Sequence, residues 1–409
     1  MQSNKDKKSI MFIDKNKIVG YSGGVEKVIC SFANDFLNRG YDVSIVCIDT
    51  EKGMPQFPLD NRARFINLCF EYSDKAYNSL EYILKKAERE ILRAFLGKKL
   101  IFLGKSLDDP REAYFYREFS QRLEKCIEHI NPDIIFPTDV ESTFVVQKVL
   151  DKLRMNDIPV ISMCHLDPGF FAYTDDYKSA LRKATAVQVL LPCFKKAFEE
   201  MGVENIKVIP NMVSQIADEN LRDLNECHYK IINVGRVDGD QKCQHRLIEA
   251  FSRIADKYPE WTVHFYGDIA NKRYKHHLDS MISEAKLEDR IIFEGTTKEM
   301  QKKLLDADIF AFPSKYEGFS LALLEAMTAG LPVIAYKDCA SVAAVIKNGE
   351  TGFLAEAGID DFACKLEQLI ASAERRNSMG KAAHEEAKKY RPKAVWDMWD
   401  EYIKGFIGD

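Results

Sequence analysis

Two glutamates in the stretch YEGFSLALLEAM, residues 316–327, have types and spacing that suggest ligand chemistry. Glu317 precedes a run that is almost wholly apolar, and Glu325 lies inside that run. Because an ionised carboxylate buried without partners is strongly destabilising, Glu325 needs hydrogen-bond donors. Two sources of donors are open: an internal arginine or backbone group, or the two hydroxyls of a bound diol. The second interpretation makes this stretch a ligand site, with Glu317 facing the same ligand.

A cationic loop follows the predicted strand YKIINVG and suggests a site for phosphate. Arg236 and Lys242 flank this loop, and two cations at the carboxyl end of a strand can hold a diphosphate. Asp238 and Asp240 in the same loop would either bind a metal ion or cap a glycine turn. We expect the turn and no metal, because the loop already carries two cations.

Two shorter motifs follow predicted strands in the first half of the chain. His165 lies just past a strand, where it is interpreted equally well as a structural residue or as one that faces a ligand. Gly23 and Gly24 open a helix after the first strand. They either form a tight turn or let an anion approach the free N–H groups of the helix N-terminus.

A short buried helix must position Glu325. Ser320 is a good N-cap and Gly330 a good residue just past a helix end, so we predict a helix from Leu321 to about Ala329. Its apolar composition on nearly all sides indicates burial. The helix follows the strand DIFAFP, at the carboxyl edge of a sheet, where open α/β sheets bind ligands. Its first N–H groups would then face an anion in that cleft.

The rest of the chain alternates short apolar strands with helical patterns, which is typical of parallel sheets covered on both faces. One sheet of so many strands would be unusually large. We therefore predict an α/β protein with two Rossmann-like doubly wound domains, residues 1–210 and 211–390. An amphipathic helix over residues 391–409 is expected to pack back across the seam. Residues 76–126 interrupt the pattern with a basic helical insertion.

Composition excludes several classes of protein. The net charge of −5 over 409 residues does not suggest a nucleic-acid binder, and no apolar run reaches the roughly 18 residues of a membrane span. The N-terminus has no apolar core long enough for a signal peptide, and the ten cysteines contain no CxxC pair. We expect a cytoplasmic protein with reduced cysteines. The basic stretch 85–105 would either lie on anionic lipid at the inner face of the cell membrane or form an ordinary solvated helix.

The chain resembles the GT-B-fold retaining glycosyltransferases of family 4 over nearly its whole length. Four stretches carry the resemblance: GGVEKVICSFANDFLNRGYDVSIV, VIPNMV, VGRVDGDQKCQHRLIEAF and PSKYEGFSLALLEAMTAGLPVIA. The last stretch contains the family signature of two glutamates separated by seven residues. Cys243 and Met212 stand where the family usually has glycine, and YKDCASVAAVI replaces a loop rich in glycine and proline. These departures bear on the identity of the substrate.

The resemblance implies a role for each matching residue. Glu325 would hold the nucleotide ribose, and Glu317 and His165 would contact the donor sugar. Arg236 and Lys242 would neutralise the diphosphate. The backbone and loop positions that would complete the donor and acceptor pocket are Gly23, Gly24, Gly318, Phe319, Ser320 and Leu321.

The implied activity is that of a retaining hexosyltransferase. It would move a sugar from a nucleotide-diphosphate sugar, expected to be a UDP-sugar, to a saccharide or lipid-linked saccharide in cell-surface polysaccharide or glycan biosynthesis. No metal or other cofactor is expected. Same-face attack with the departing phosphate as base is the expected route, and a covalent intermediate on Glu317 is the other. The alternatives are a nucleotide-sugar epimerase of the same fold and a non-catalytic sugar-binding subunit of a glycan assembly complex.

Overall fold

Two groups of parallel strands, one in each half of the chain, organise the protein. The computed structural model describes residues 7–15, 18–20, 23–72 and 110–407, together with the single positions 84, 87 and 91.

The first half of the chain forms parallel strands in the order β3-β2-β1-β4 and β5-β6-β7. Within this half, an isolated parallel bridge between Ile135 and Val160 connects the set that ends in β4 with the set that begins at β5. The strands are β1 Ser9–Asp14, β2 Asp42–Cys47, β3 Arg64–Asn67, β4 Ile134–Pro137, β5 Ile161–Cys164, β6 Ala186–Val189 and β7 Ile206–Val208. The helices are α1 Gly24–Asn38, α2 Pro110–Ile130, α3 Val140–Leu153, α4 Asp175–Lys183 and α5 Pro192–Glu200, with a 3-10 turn at Pro168–Phe170.

The second half forms one six-stranded parallel sheet in the order β10-β9-β8-β11-β12-β13. Its strands are β8 Lys230–Val234, β9 Thr262–Tyr266, β10 Ile291–Gly295, β11 Ile309–Phe312, β12 Val333–Tyr336 and β13 Gly352–Ala355. Its helices are α6 Gln244–Ser252, α7 Lys272–Glu284, α8 Met300–Leu305, α9 Leu321–Thr328, α10 Ala340–Ala343, α11 Ile359–Ile370 and α12 Ala373–Ala387. The final helix is α13, Pro392–Ile407.

The central strands are apolar and buried because helices cover both faces of a parallel sheet. Every residue of β4 and of β11 is buried. This burial explains why these strands read as continuous apolar runs instead of alternating apolar and polar residues. The prediction of an α/β fold with parallel sheets is therefore confirmed.

The last helix, α13, packs against α1 of the first half. The rings of Trp396 and Trp399 meet the ring of Phe32 edge-on, with centroids 5.3 Å and 5.5 Å from it. Trp396 Nε1 donates a hydrogen bond to Asp35 Oδ2 at 2.6 Å. The chain therefore ends on the half in which it began.

Helix α2 differs from the insertion that was expected over residues 76–126. Phe119, Leu123 and Ile127 are fully buried in the core that also contains Met11 of β1. Their spacing of four residues is that of one helix face, so this segment is a core helix that continues to Ile130. The residues that make the stretch 85–105 basic lie outside the described residues, and its docking on a membrane stays a prediction. Within the described part of the chain, no helix has the length and hydropathy required to cross a bilayer.

Candidate active site

The predicted short helix is α9, and its ends are as expected. Ser320 is the N-cap, and its side chain accepts a hydrogen bond from Leu323 N at 3.3 Å. Gly330 follows the helix with a φ of 71°, the left-handed conformation that glycine adopts most easily. The strand β11 leads into the loop before α9, so the helix N-terminus lies at the carboxyl edge of the second sheet.

Glu325 was expected to be a wholly buried carboxylate, but its side chain is partly exposed. Its side chain is 24% exposed, and it forms an ion pair with Lys27 of α1. Both residues line a cavity of about 190 Å³ between α1, residues 212–214, α9 and Pro392. The side of α9 that carries Glu325 faces the first half of the chain instead of the interior. The hydrogen-bond donor to Glu325 is therefore Lys27, from the opposite half of the chain. A lysine was not among the predicted partners of this carboxylate.

Glu317 and Lys242 form a buried ion pair. Lys242 Nζ lies 2.6 Å from Glu317 Oε1, and the two side chains are 17% and 8% exposed. Gln241 Nε2 lies 3.5 Å from the other carboxylate oxygen of Glu317. The residue predicted to hold a diphosphate thus neutralises the residue predicted to orient the donor sugar. The two are neighbours in space, as their assigned roles require.

The loop after β8 is a capped turn. Asp238 Oδ1 accepts hydrogen bonds from the backbone N–H of Asp240 at 2.9 Å and of Gln241 at 3.3 Å. Asp238 therefore has the capping role that the turn interpretation assigned to it. Arg236 is exposed after β8. Its guanidinium opposes the rise that burial causes in the pKa of Glu26, a buried residue of α1.

Cys243 occupies a backbone conformation that suits glycine. It precedes α6 with φ 48° and ψ 43°, in the left-handed region. A non-glycine residue is uncommon there because its Cβ crowds the backbone. The departure noted in the sequence therefore replaces a glycine at a position where glycine is conformationally favoured. The thiol is buried and donates toward the carbonyl oxygen of Gly239 at 3.4 Å.

His165 is buried, and neither ring nitrogen has a hydrogen-bond partner among the described residues. Burial lowers its pKa to about 4, so the imidazole is neutral near pH 7. Its carbonyl oxygen contacts the loop before α9: a Cβ added to Gly318 would lie 1.8 Å from that oxygen. Only a glycine allows this approach of the two backbones. His165 and Glu317 are therefore held on neighbouring loops from opposite halves.

The glycine turn of the first half also faces α9. Gly23 is the N-cap of α1, in an extended conformation, and a Cβ on Gly24 would lie 3.9 Å from Leu321 Cδ1. That distance is an ordinary contact, so Gly24 brings α1 close to α9 without strain. Phe319 is buried and packs edge-on against Tyr390, with ring centroids 5.5 Å apart. Its side chain therefore supports the loop, and its backbone is the part available to a ligand.

Polar residues at the carboxyl ends of β1 and β4 were missed by the sequence analysis. Lys15 Nζ lies 2.7 Å from Glu141 Oε2, and the hydroxyl of Tyr116 donates to Glu141 Oε1 at 3.0 Å. Burial is the main cause that raises the pKa of the neighbouring Asp139 to about 6, and Asp14 adds to it. Their signal is a charged residue directly after an apolar strand, as in SIMFIDK and IIFPTDVE.

One other group in the described part of the chain has metal-ligand chemistry. Ligand atoms of Asp218, His384 and Glu385 lie within 4.8 Å of one another. Both ring nitrogens of His384 have partners, Thr328 O at 2.8 Å and Asp218 Oδ1 at 2.9 Å. Lys388 forms ion pairs with both carboxylates. These hydrogen bonds connect α12 to the end of α9, so the group is explained as a structural link between the two helices.

Comparisons with known proteins found similar glycosyltransferases. Residues 217–386 match the family model of glycosyl transferases group 1. An uncharacterized glycosyltransferase of Haemophilus influenzae is 23% identical over 387 residues, which cover 93% of this chain and 96% of that protein. A poly(ribitol-phosphate) alpha-N-acetylglucosaminyltransferase of Staphylococcus aureus is 29% identical over 369 residues, covering 86% of this chain and 69% of that protein.

A solved structure shows the same fold. The pneumococcal O-GlcNAc transferase GtfA in complex with UDP and GlcNAc superposes with a TM-score of 0.73 at 14% identity, covering 99% of this chain and 100% of that chain. The GT-B fold implied by the resemblance is therefore confirmed.

Proposed function

We propose that this chain is a glycosyltransferase of group 1 that moves a sugar from a UDP-sugar to a saccharide or lipid-linked saccharide with retention of configuration. The Staphylococcus aureus relative is named for transfer of N-acetylglucosamine to a poly(ribitol-phosphate), and the pneumococcal structure contains UDP and GlcNAc. These names support a role in cell-surface glycan synthesis. They also make UDP-GlcNAc the first donor to test.

The observation that carries the proposal is the buried pair of Lys242 and Glu317 at the carboxyl edge of the second sheet. A buried ion pair can exchange partners when a ligand brings both a negative and a polar group. Lys242 would turn to the diphosphate, and Glu317 would accept hydrogen bonds from the sugar hydroxyls. Arg236, after β8, would add a second cation on the diphosphate side.

The chemical step breaks the bond between C1 of the sugar and a diphosphate oxygen. The leaving group gains negative charge while the sugar becomes oxocarbenium-like, so the protein has to stabilise opposite charges. Lys242, Arg236 and the free N–H groups at the start of α9 would stabilise the diphosphate. The acceptor hydroxyl would attack the same face and give its proton to the departing phosphate. A covalent intermediate on Glu317 is the competing route to retention.

The neutral imidazole of His165 suits contact with a sugar. Within the described part of the chain its two ring nitrogens have no partner, and one carries a hydrogen while the other can accept a hydrogen bond. A sugar hydroxyl can satisfy either nitrogen without bringing charge into the buried site. Glu325 would release Lys27 and bind the two ribose hydroxyls.

A transfer assay tests the proposal. Purified protein is given UDP-sugars, beginning with UDP-GlcNAc, with and without saccharide acceptors, in buffer containing EDTA. We expect UDP release that depends on the acceptor and continues without metal, with NMR showing the same anomeric configuration in donor and product. Conversion of the donor alone would instead indicate an epimerase. Tight nucleotide binding without turnover on any acceptor would indicate a binding subunit.

Attachment to membranes is a separate part of the proposal. The basic stretch 85–105 would place the protein on an anionic surface that carries a lipid-linked acceptor. Liposome flotation at low salt tests this, with phosphatidylcholine vesicles as the control for charge. Equal recovery from anionic and neutral vesicles would contradict it.

A further inference from the structure

We propose that Phe170 and Tyr316 form an aromatic platform for a pyranose ring of the acceptor, beside the donor-sugar site. This inference rests on the proposed transferase function, because it assigns the second substrate of the same cleft. None of the roles implied by the resemblance includes either residue.

The two rings are stacked across the cleft. Their centroids are 4.1 Å apart and their planes differ by 17°. Phe170 ends the 3-10 turn after β5, in the first half, and Tyr316 lies in the loop before α9, in the second half. The stack joins the two halves, and 55% of Phe170 remains exposed. Leu166, in the same loop as Phe170, is 56% exposed.

The position of this stack links it to the reaction. Tyr316 directly precedes Glu317, and Leu166 directly follows His165. The backbone of Gly318 contacts the His165 carbonyl, so the loops that carry the two rings also hold both predicted sugar-contacting residues. His165 and Glu317 are buried, whereas Phe170 opens to solvent. A substrate bound on Phe170 would therefore approach the donor sugar from the solvent-exposed side of the cleft.

The chemistry of the surface fits a sugar ring. The C–H groups on one face of a pyranose are weakly positive, and the face of an aromatic ring is negative. Burial is the main cause that raises the pKa of the Tyr316 phenol, and the carboxylates of Asp238 and Asp240 raise it further. An apolar ring beside a few polar groups is the usual composition of a small-ligand site. The exposed face of Phe170 suits an extended glycan, which continues into solvent beyond the bound ring.

Phe170→Ala is the first test, with Phe70→Ala as the matched control. Phe70 is another half-exposed phenylalanine, 44% exposed, after β3. We expect Phe170→Ala to raise the acceptor KM about tenfold or more. UDP affinity and the slow hydrolysis of the donor without acceptor should stay within about twofold of wild type. Phe170→Tyr should restore the acceptor KM, since it keeps the ring.

The other outcomes overturn the inference. An unchanged acceptor KM would contradict the role of the stack in binding the acceptor. If Phe170→Ala reduced acceptor-independent hydrolysis as much as transfer, the stack would serve only to hold the two halves together. Loss confined to lipid-linked acceptors, with free oligosaccharides unaffected, assigns the surface to the lipid. Phe170→Leu replaces Phe170→Ala if the latter has a lowered melting temperature. Inactivity of the wild type toward every nucleotide sugar would instead contradict the proposed function, before any variant is compared.

Discussion

The carboxyl edges of the two sheets contribute to the cleft in different ways. In the second half, the predicted site residues come from two loops and helix α9, and Lys242 and Glu317 already neutralise each other. In the first half, His165 is buried and neutral, and no residue that the structure describes bonds to its ring, while Lys27 extends from α1 to Glu325. The second half thus holds a charged site that is complete within one domain. The first half supplies single residues whose roles depend on the closeness of the two halves.

Lys242→Ala is expected to have the largest effect, because it tests the charged site of the second half. Turnover should decrease about a hundredfold or more, since a donor that stabilises the leaving group is lost. The variant should also be less stable, because Glu317 is left buried without its cation. Steady-state transfer rates and urea unfolding measure the two effects.

A double substitution separates these effects. Lys242→Met with Glu317→Gln should recover most of the stability and none of the activity. Lys302→Ala, in the exposed part of α8, is the control for loss of a lysine. A wild-type rate in Lys242→Ala would contradict the assignment of this residue to the diphosphate.

Gly318→Ala tests the contact between the halves. Its Cβ would meet the His165 carbonyl oxygen at 1.8 Å, so one of the two loops must move. A displacement of about 1 Å near reacting groups can reduce turnover about a hundredfold. Gly405→Ala in α13 is the control, because a Cβ there has nothing within 4 Å. Equal activities of the two variants would show that the close approach of the loops is not needed for transfer.

The burial of His165 predicts an acid-sensitive stability. Its pKa is about 4 in the folded protein and 6.5 ordinarily, so the unfolded chain binds the proton more tightly. The contribution of His165 to stability should therefore rise with pH between these values, and at pH 5 it should be about 2 kcal/mol lower than at pH 8. Urea unfolding of wild type and His165→Leu at both pH values measures this. The exposed His276→Leu should keep the wild-type difference, and an unchanged difference in His165→Leu would contradict the burial argument.

Lys27→Ala should have the smallest effect. The pair with Glu325 is partly exposed, so its loss should change stability by no more than about 1 kcal/mol. UDP should bind up to about fivefold more tightly, because the ribose no longer competes with the ammonium group. Calorimetric titration measures this, with Lys298→Ala as the surface control. Weaker binding by tenfold would show that Lys27 itself contacts the nucleotide.

The sequence predicted the second half of the molecule well because its signals are local. Ser320 and Gly330 mark the two ends of α9, and both ends were placed within one residue. The role of Asp238 as a turn cap was also among the predicted interpretations. These features depend on residues a few positions apart, whose backbone and capping preferences act without help from distant segments.

The predictions that were wrong concern long-range packing. The insertion was predicted to reach from residue 76 to residue 126, although Phe119, Leu123 and Ile127 lie on one face of a core helix. Its many charged residues masked that spacing. The burial of Glu325 was overestimated because an apolar helix can still turn one side to an interdomain cleft. The stack of Phe170 on Tyr316 joins residues far apart in the chain, and neither residue has a local signal.

The sequence by itself determined the strands, the capped helix α9, the glycine turn and the cationic loop, because each depends on neighbouring residues and on the period of the apolar pattern. Only the tertiary structure decided that Lys27 reaches Glu325, that the His165 ring has no partner in the described ranges and that Gly318 contacts the His165 backbone. These relations arise where the two halves of the chain meet. The packing of one half against the other fixes those distances, and local sequence does not encode them.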